Sequence, residues 1–304
     1  MHCVIDIGSN TIRLAVYRVD SSGLHPILNN KRAAGLASYV DGKNCLSDRG
    51  VEKLISVLRE FQSILEMLPN CPVYPFATAS LRNIVNTQQV LQRVREETGL
   101  HIRVLSGYEE ATLDYRGAVG SMDGGSGLMV DIGGGSTELV FFHDERILAA
   151  KSIPLGSLNL FSRFVSNLFP TKKELHAMEE EVRTTLLQSL PPAAEYVAQP
   201  LCGVGGTARA ALTLYQNLEG EESGGVYERA FLKKVLHQAD ENPRKLLRRI
   251  LKIAPDRVHT LVPGVLILHT VARVYGSRTI LTSPHGVREG YLSLMLEREE
   301  EHHV

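Results

Sequence analysis

Two aspartates stand at the head of the same short motif, 125 residues apart. Asp6 opens Asp6-Ile7-Gly8-Ser9-Asn10-Thr11, and Asp131 opens Asp131-Ile132-Gly133-Gly134-Gly135-Ser136. Each copy reads as a buried strand, a Gly/Ser/Thr turn and a second strand. The carboxylate ends the first strand, and the turn offers backbone N–H groups and hydroxyls to an anion, as a nest does. Three consecutive glycines lose much backbone entropy on folding, so Gly133 to Gly135 suggest close approach of backbone to a ligand rather than a plain hairpin. The anion-binding set is therefore Gly8, Ser9, Asn10 and Arg13 in the first copy and Gly133, Gly134, Gly135 and Ser136 in the second. Glu138, on the outgoing strand, can join Asp131 around Mg²⁺, with Asp6 from the first copy. Oxygen ligands with several retained waters suit that ion. A solvated strand position is the less favoured alternative for Glu138.

Four other segments carry candidate chemistry. Ser106-Gly107-Tyr108-Glu109 has the spacing of a capping box, which gives Glu109 a structural task at a helix start. Glu110 has no such task; it is either a general base on water or a favourable charge at the helix N-terminus. Ala77-Thr78-Ala79-Ser80-Leu81-Arg82 puts Arg82 at a strand-to-helix turn, where it can contact phosphate or lie exposed. Gly203-Val204-Gly205-Gly206-Thr207 is a strand, a glycine turn and a helix start. Gly205, Gly206 and Thr207 suit a phosphate or nucleotide contact, or close helix–strand packing; the segment is neither GxGxxG nor a P-loop. Pro284-His285-Gly286-Val287-Arg288-Glu289-Gly290 enters the last helix, with Arg288 either reaching a site or pairing with Glu289 in solvent.

Positioning these groups takes two similar scaffolds. Hydrophobic periodicity predicts strands at 2–7, 12–19, 24–36, 73–77 and 102–105, with helices at 48–67, 86–97 and 107–119. The helix over 48–67 rests on Val51, Leu54, Ile55, Leu58 and Phe61 on one face, with Ser47 as its cap. Strands follow at 127–132, 137–143, 146–153, 200–204 and 279–282. Helices follow near 155–165, 171–189, 207–216, 228–238, 243–252, 257–275 and 286–300. Three strands, then alternating helix and strand, in both halves imply a duplicated α/β domain with mixed sheets. We expect domains at 1–121 and 122–304, a hinge at Met122 to Ser126, and a polar loop at Glu219 to Gly225.

Bulk properties narrow the class. The chain has 304 residues, 43% hydrophobic and 22% charged, with Lys plus Arg at 33 and Asp plus Glu at 34 for a net charge of −1. No global basic field draws in duplex nucleic acid or membrane, so any polyanion site must be a local concentration of Arg and Lys. Cys3, Cys45, Cys71 and Cys202 have no CxxC spacing and read as reduced thiols in a cytoplasmic protein. The start enters a strand at once, so no signal peptide is expected.

Taken in order, these motifs resemble the exopolyphosphatase and guanosine pentaphosphate phosphohydrolase family (Ppx/GppA), over nearly the whole chain. The resemblance implies two ribonuclease-H-like domains of the actin-like, acetate and sugar kinase superfamily around a central cleft. It implies that Glu110 is the catalytic base, that Asp131 and Glu138 hold a divalent cation, and that Arg82 and the glycine loops hold phosphate. The implied reaction releases terminal phosphate from inorganic polyphosphate or guanosine pentaphosphate by Mg²⁺-assisted attack of water. Longer members carry C-terminal helical domains that the chain is not expected to have, which leans the reading toward short polyphosphates or a nucleotide. Pro284-His285 departs from the family pattern at the edge of the site. A superfamily kinase or ATPase binding at Gly205 to Thr207 stays open, as does a non-catalytic (p)ppGpp or polyphosphate sensor, which the intact carboxylate set argues against. A homodimer is an expected assembly.

Overall fold

The computed structural model describes every residue except 69, 119, 121–124, 145, 193–199, 221–223 and 303–304. Most of the expected hinge, and part of the expected polar loop, lie outside the described residues. The chain divides into two compact units, Met1–Glu109 with Arg288–Val304, and Glu110–Val287. The sequence reading instead breaks at 122 and leaves the last helix with the second half.

In the first unit, β1 (His2–Ile7), β2 (Thr11–Asp20), β3 (Gly23–Ala33), β4 (Val73–Ala77) and β5 (Arg103–Val104) form a sheet of order β3-β2-β1-β4-β5. The first three strands are antiparallel, and β4 and β5 run parallel to their neighbours. Helices α1 (Asp48–Leu65), α2 (Ala79–Arg82) and α3 (Thr87–Thr98) complete the first passage through this unit. Helix α4 (Gly107–Ala118) leads into the second unit. There, β6 (Ser126–Ile132), β7 (Thr137–His143) and β8 (Arg146–Ile153) are followed by α5 (Ser157–Phe164), α6 (Lys172–Ser189), β9 (Leu201–Val204) and α7 (Gly205–Glu219). After them come β10 (Val226–Glu228), α8 (Arg229–Glu241), α9 (Pro243–Ile253), α10 (Leu261–Val274), β11 (Thr279–Thr282) and α11 (Val287–His302). The second sheet has the order β10-β11-β9-β6-β7-β8. Apart from the added edge strand β10, this is the first sheet's order again, as expected of a ribonuclease-H-like repeat.

Period-2 alternation along the strands decides what each face carries. In the first sheet, Ile5, Ile7, Ile12 and Leu14 point to the core shared with Leu54, Leu58 and Phe61 of α1. Each such fully buried side chain contributes roughly 1.5–3 kcal/mol over leaving it in water. The opposite face carries Asp6, Arg13 and Tyr17, and α11 packs there. Tyr291 lies on Phe76 with ring centroids 4.7 Å apart, and the Tyr17 hydroxyl donates to Glu289 Oε1 at 2.5 Å. These contacts are why α11 returns to the first sheet. In the second sheet, Leu128, Val130, Leu139 and Phe141 face the large core of α5 to α10. Met129, Val140 and Phe142 face Ala111, Tyr115 and Ala118 of α4.

Several local expectations change. Ser47 occupies the cap position of α1, but its side chain makes no capping bond; its carbonyl accepts Val51 N–H at 3.0 Å. Cys3 and Cys71, expected as thiols, form a disulfide, with Cα atoms 6.4 Å apart. Cys3 lies opposite Val73 in the parallel β1–β4 pair, so the chain just before β4 runs beside it. Separation in sequence hides that proximity. Helix α2 and strand β10 are too short to leave a periodic signal. Among the described residues, no helix is long and apolar enough to cross a membrane.

Candidate active site

The two loops are built alike. Asp6 is the register partner of Arg13, and Asp131 is that of Glu138. Gly8 N–H donates to Thr11 carbonyl and Gly133 N–H to Ser136 carbonyl, both at 3.0 Å. A Cβ on either glycine would sit 3.2 Å from that same carbonyl oxygen.

The structure also shows how the loops come to present N–H groups. The first residues of α5 occupy the second loop's carbonyls. Ser157 N–H donates to Gly133 at 2.9 Å, Leu158 N–H to Gly134 at 2.9 Å, and the Asn159 side-chain amide to Gly135 at 3.0 Å. In a trans peptide the carbonyl and the following N–H point opposite ways. Tying the carbonyls of Gly133, Gly134 and Gly135 to α5 therefore turns the N–H groups of Gly134, Gly135 and Ser136 the other way. Gly156 permits this approach, since its Cβ would lie 2.5 Å from the Gly134 carbonyl. In the first loop, Ser9 carbonyl accepts Ala37 N–H at 3.0 Å, and Asn10 carbonyl accepts Ala34 and Gly35 N–H at 3.1 and 2.9 Å. Asn10 N–H is turned outward by the same logic.

Charge distinguishes the two copies. In the first unit, the buried Arg288 lies with Nε 4.0 Å from Asp6 Oδ2, and Arg13 shares the face. Arg13 also donates to Asn29 Oδ1 at 3.3 Å. In the second unit, Asp131 and Glu138 sit on the face covered by α4, whose Glu110 and Asp114 are one turn apart. Glu110, Asp114 and Glu138 are all buried, Asp114 completely. Burial pushes the Glu138 carboxyl well above the usual carboxylate range, with Glu110 and Asp131 adding repulsion; the Ser152 hydroxyl donates to it at 2.7 Å. Burial likewise raises Asp114, with Asp131, Glu110 and Glu138 all contributing. Asp114 Oδ1 accepts Val287 N–H at 2.8 Å, while Oδ2 is buried without a hydrogen-bond partner among the described residues.

Other predicted residues take definite places. Glu109 completes the capping box: its carboxylate accepts Ser106 N–H at 2.8 Å, and its own N–H donates to Ser106 Oγ at 3.2 Å. Arg103 holds its other oxygen at 2.6 Å. Arg82 donates to Leu105 carbonyl at 3.1 Å and lines an open pocket of about 540 Å³ with Ser106 and Glu109. Gly205 has φ +74°, and a Cβ there would lie 2.0 Å from Asp131 Oδ1, so this glycine brings the α7 start onto the aspartate. The Thr207 hydroxyl, expected to meet ligand, is buried and donates to Ile132 carbonyl at 2.8 Å. Two contributors escape sequence reading. Asp114 has a legible signal, four residues after Glu110 on the same helix face. Arg257 has none: its Nη2 lies where a Gly206 Cβ would come within 1.8 Å, a contact made only by tertiary folding. Burial, with Arg209 adding to it, lowers the Arg257 pKa, and Asp256 and then Asp131 oppose them.

The model of the Ppx/GppA phosphatase family matches residues 15–299. The chain belongs to the Ppx/GppA phosphatase family. Exopolyphosphatase 1 of Mycobacterium tuberculosis is 27% identical over 97% of this chain and 88% of its own length. A Ppx/GppA crystal structure from Aquifex aeolicus superposes with a TM-score of 0.80 at 26% identity, covering 98% of this chain and 97% of that one. An exopolyphosphatase structure from Cytophaga hutchinsonii shares the fold with a TM-score of 0.85 at 23% identity, covering 97% of each chain. The Ppx/GppA fold thus accounts for both sheets and for α11 at the end of the chain.

Proposed function

We propose that the protein releases terminal phosphate from a phosphoanhydride chain, inorganic polyphosphate or guanosine pentaphosphate, by attack of water. The observation that carries this reading is the carboxylate cluster of the second unit: buried Glu110 presented by α4 over Asp131 and Glu138. Glu110 takes a proton from water as its oxygen attacks the terminal phosphorus. The water oxygen stays on the released phosphate, the bond from that phosphorus to the bridging oxygen breaks, and the shortened chain leaves with the bridging oxygen. The N–H groups turned outward by α5 suit the phosphoryl oxygens, so catalysis is chiefly positioning and electrostatics.

The donor set fits a divalent cation. Burial, with repulsion from neighbouring carboxylates, pushes Glu138 and Asp114 toward neutrality, and Asp114 Oδ2 is buried without a hydrogen-bond partner among the described residues. Among the described residues, no three His, Cys, Asp or Glu groups form a site for a metal ion by themselves. That suits Mg²⁺, which binds through one or two carboxylates together with waters and substrate phosphates. Asp131 and Glu138 would hold it, and when bound it would offset charge on the terminal phosphoryl group. Asp6, already facing Arg288, reads better as that arginine's counter-ion than as a metal ligand.

The names of the relatives favour polyphosphate. Phosphate release from tripolyphosphate, long polyphosphate, guanosine pentaphosphate and ATP, compared with Mg²⁺ and no acceptor, tests the reading. Release from polyphosphate supports it. Turnover of ATP alone, and only with an acceptor, would make the protein a kinase.

A further inference from the structure

Helix α9 concentrates charge in a chain whose net charge is −1. Its sequence, PRKLLRRILKI, holds five cations and no acid. At about 100° per residue, Arg244, Lys245, Arg248, Arg249 and Lys252 fall within an arc of about 140°. Leu246 and Ile250 point the other way into the core, and the cationic side faces outward with the half-exposed Leu251 at its edge. Several surface cations elsewhere have acids, as Arg59 with Glu97, Arg163 with Glu181, Arg183 with Glu180 and Lys234 with Glu219. Arg244, Lys245, Arg248 and Lys252 make no side-chain hydrogen bond or ion pair among the described residues. The helix ends at Ile253, and the turn Pro255–Arg257 directly after it carries Arg257 onto Gly206.

We infer that the outward face of α9 is a binding track for the distal part of a linear polyphosphate chain. Its inner end is Arg257 at the Gly205–Gly206 loop beside Asp131. The inference rests on the phosphoanhydride reading above. Charge complementarity selects this occupant: a row of unpaired cations about 12 Å long, at 1.5 Å per residue, fits a repeating anion with no bases to stack. It also reverses the expectation that the chain favours short substrates.

The test compares the full chain with Arg244→Gln/Arg248→Gln/Lys252→Gln, and with Arg163→Gln/Arg183→Gln as a surface control. Equilibrium binding and phosphate release are measured for tripolyphosphate and long polyphosphate across a salt series. The triple variant should bind long polyphosphate at least about tenfold more weakly, with a salt slope flatter by about 2, from three contacts at about 0.7 each. Its handling of tripolyphosphate and its melting temperature should match those of the parent. Equal affinity for long polyphosphate in parent and variant overturns the track, even where short-chain hydrolysis upholds the proposed function. The expected loss of binding in a protein that hydrolyses neither polymer upholds the track and removes the function. Single-stranded RNA bound through this face as tightly as long polyphosphate also overturns the assignment.

Discussion

Glu109 and Glu110 are adjacent in sequence and opposite in circumstance. Glu109 has its oxygens committed to Ser106 and Arg103 at a half-exposed helix start, where the backbone bond from Ser106 chiefly holds its pKa below the usual value. Glu110 is buried among carboxylates. Glu110→Gln should therefore lower kcat by roughly 10²–10⁴, the usual contribution of general base catalysis, with little change in melting temperature. Glu109→Gln should keep most activity, because glutamine also completes a capping box. Steady-state kinetics on both variants checks this, and the reverse pattern would exchange their roles. Asp114 supports a separate prediction. Its pKa is raised on folding, so the native state holds a proton that the unfolded chain releases near pH 4. Stability tied to this group is full below that pH and is lost as pH rises through the raised native pKa. Asp114→Asn keeps an acceptor for Val287 N–H and removes the charge. It should melt above the parent at pH 8, by a margin that shrinks toward pH 4. A variant that melts lower, by most at pH 8, would mean the carboxylate is charged and stabilising.

At the scale of elements, the site depends on glycines that let other elements close in. Gly205 and Gly99 both have left-handed backbone, φ +74° and +71°, but their surroundings differ: Asp131 crowds Gly205, whereas open space surrounds Gly99. Gly99→Ala should cost about 1–2 kcal/mol of stability, the price of left-handed backbone for an L side chain, and leave activity per folded molecule intact. Gly205→Ala adds a collision with Asp131, so it should also lose most activity in the molecules that fold. Unfolding and turnover measured on both variants separate the two effects; equal residual activity would mean that Asp131 does not need its present position. These elements also show what a sequence can carry. The strand–turn–strand repeat was legible because Asp6 and Asp131 each end a buried strand. The capping box was legible because a cap is a local structure. That α5 aims the glycine loop, that α9's turn brings Arg257 to Gly206, and that Cys3 meets Cys71 are long-range contacts. They leave no periodic trace.

At the scale of the whole molecule, the least legible feature is which sheet each helix belongs to. A helical pattern fixes an apolar face, not its destination, so α11 reads as the end of the second half. Its partners assign it to the first sheet: Tyr291 packs on Phe76, Glu289 accepts from Tyr17, and Glu299 accepts from the Tyr74 hydroxyl at 2.6 Å. Arg288, beside Asp6, precedes these contacts on the same helix, so α11 supplies both a cover for the sheet and a cation for the first loop. Tyr291 is almost wholly buried, and Tyr291→Ala should cost about 3–5 kcal/mol, as for other large aromatics cut back to alanine in a core. The damage should fall on the unit that α11 covers. Hydrogen exchange under native conditions should show β1 and β4 losing protection first. Protection in β6, β7 and β9 should persist, because their cores are built from α4 to α10. Loss of protection confined to β6, β7 and β9 would place α11 with the second sheet, and Arg288 would then have to be removed from its pairing with Asp6.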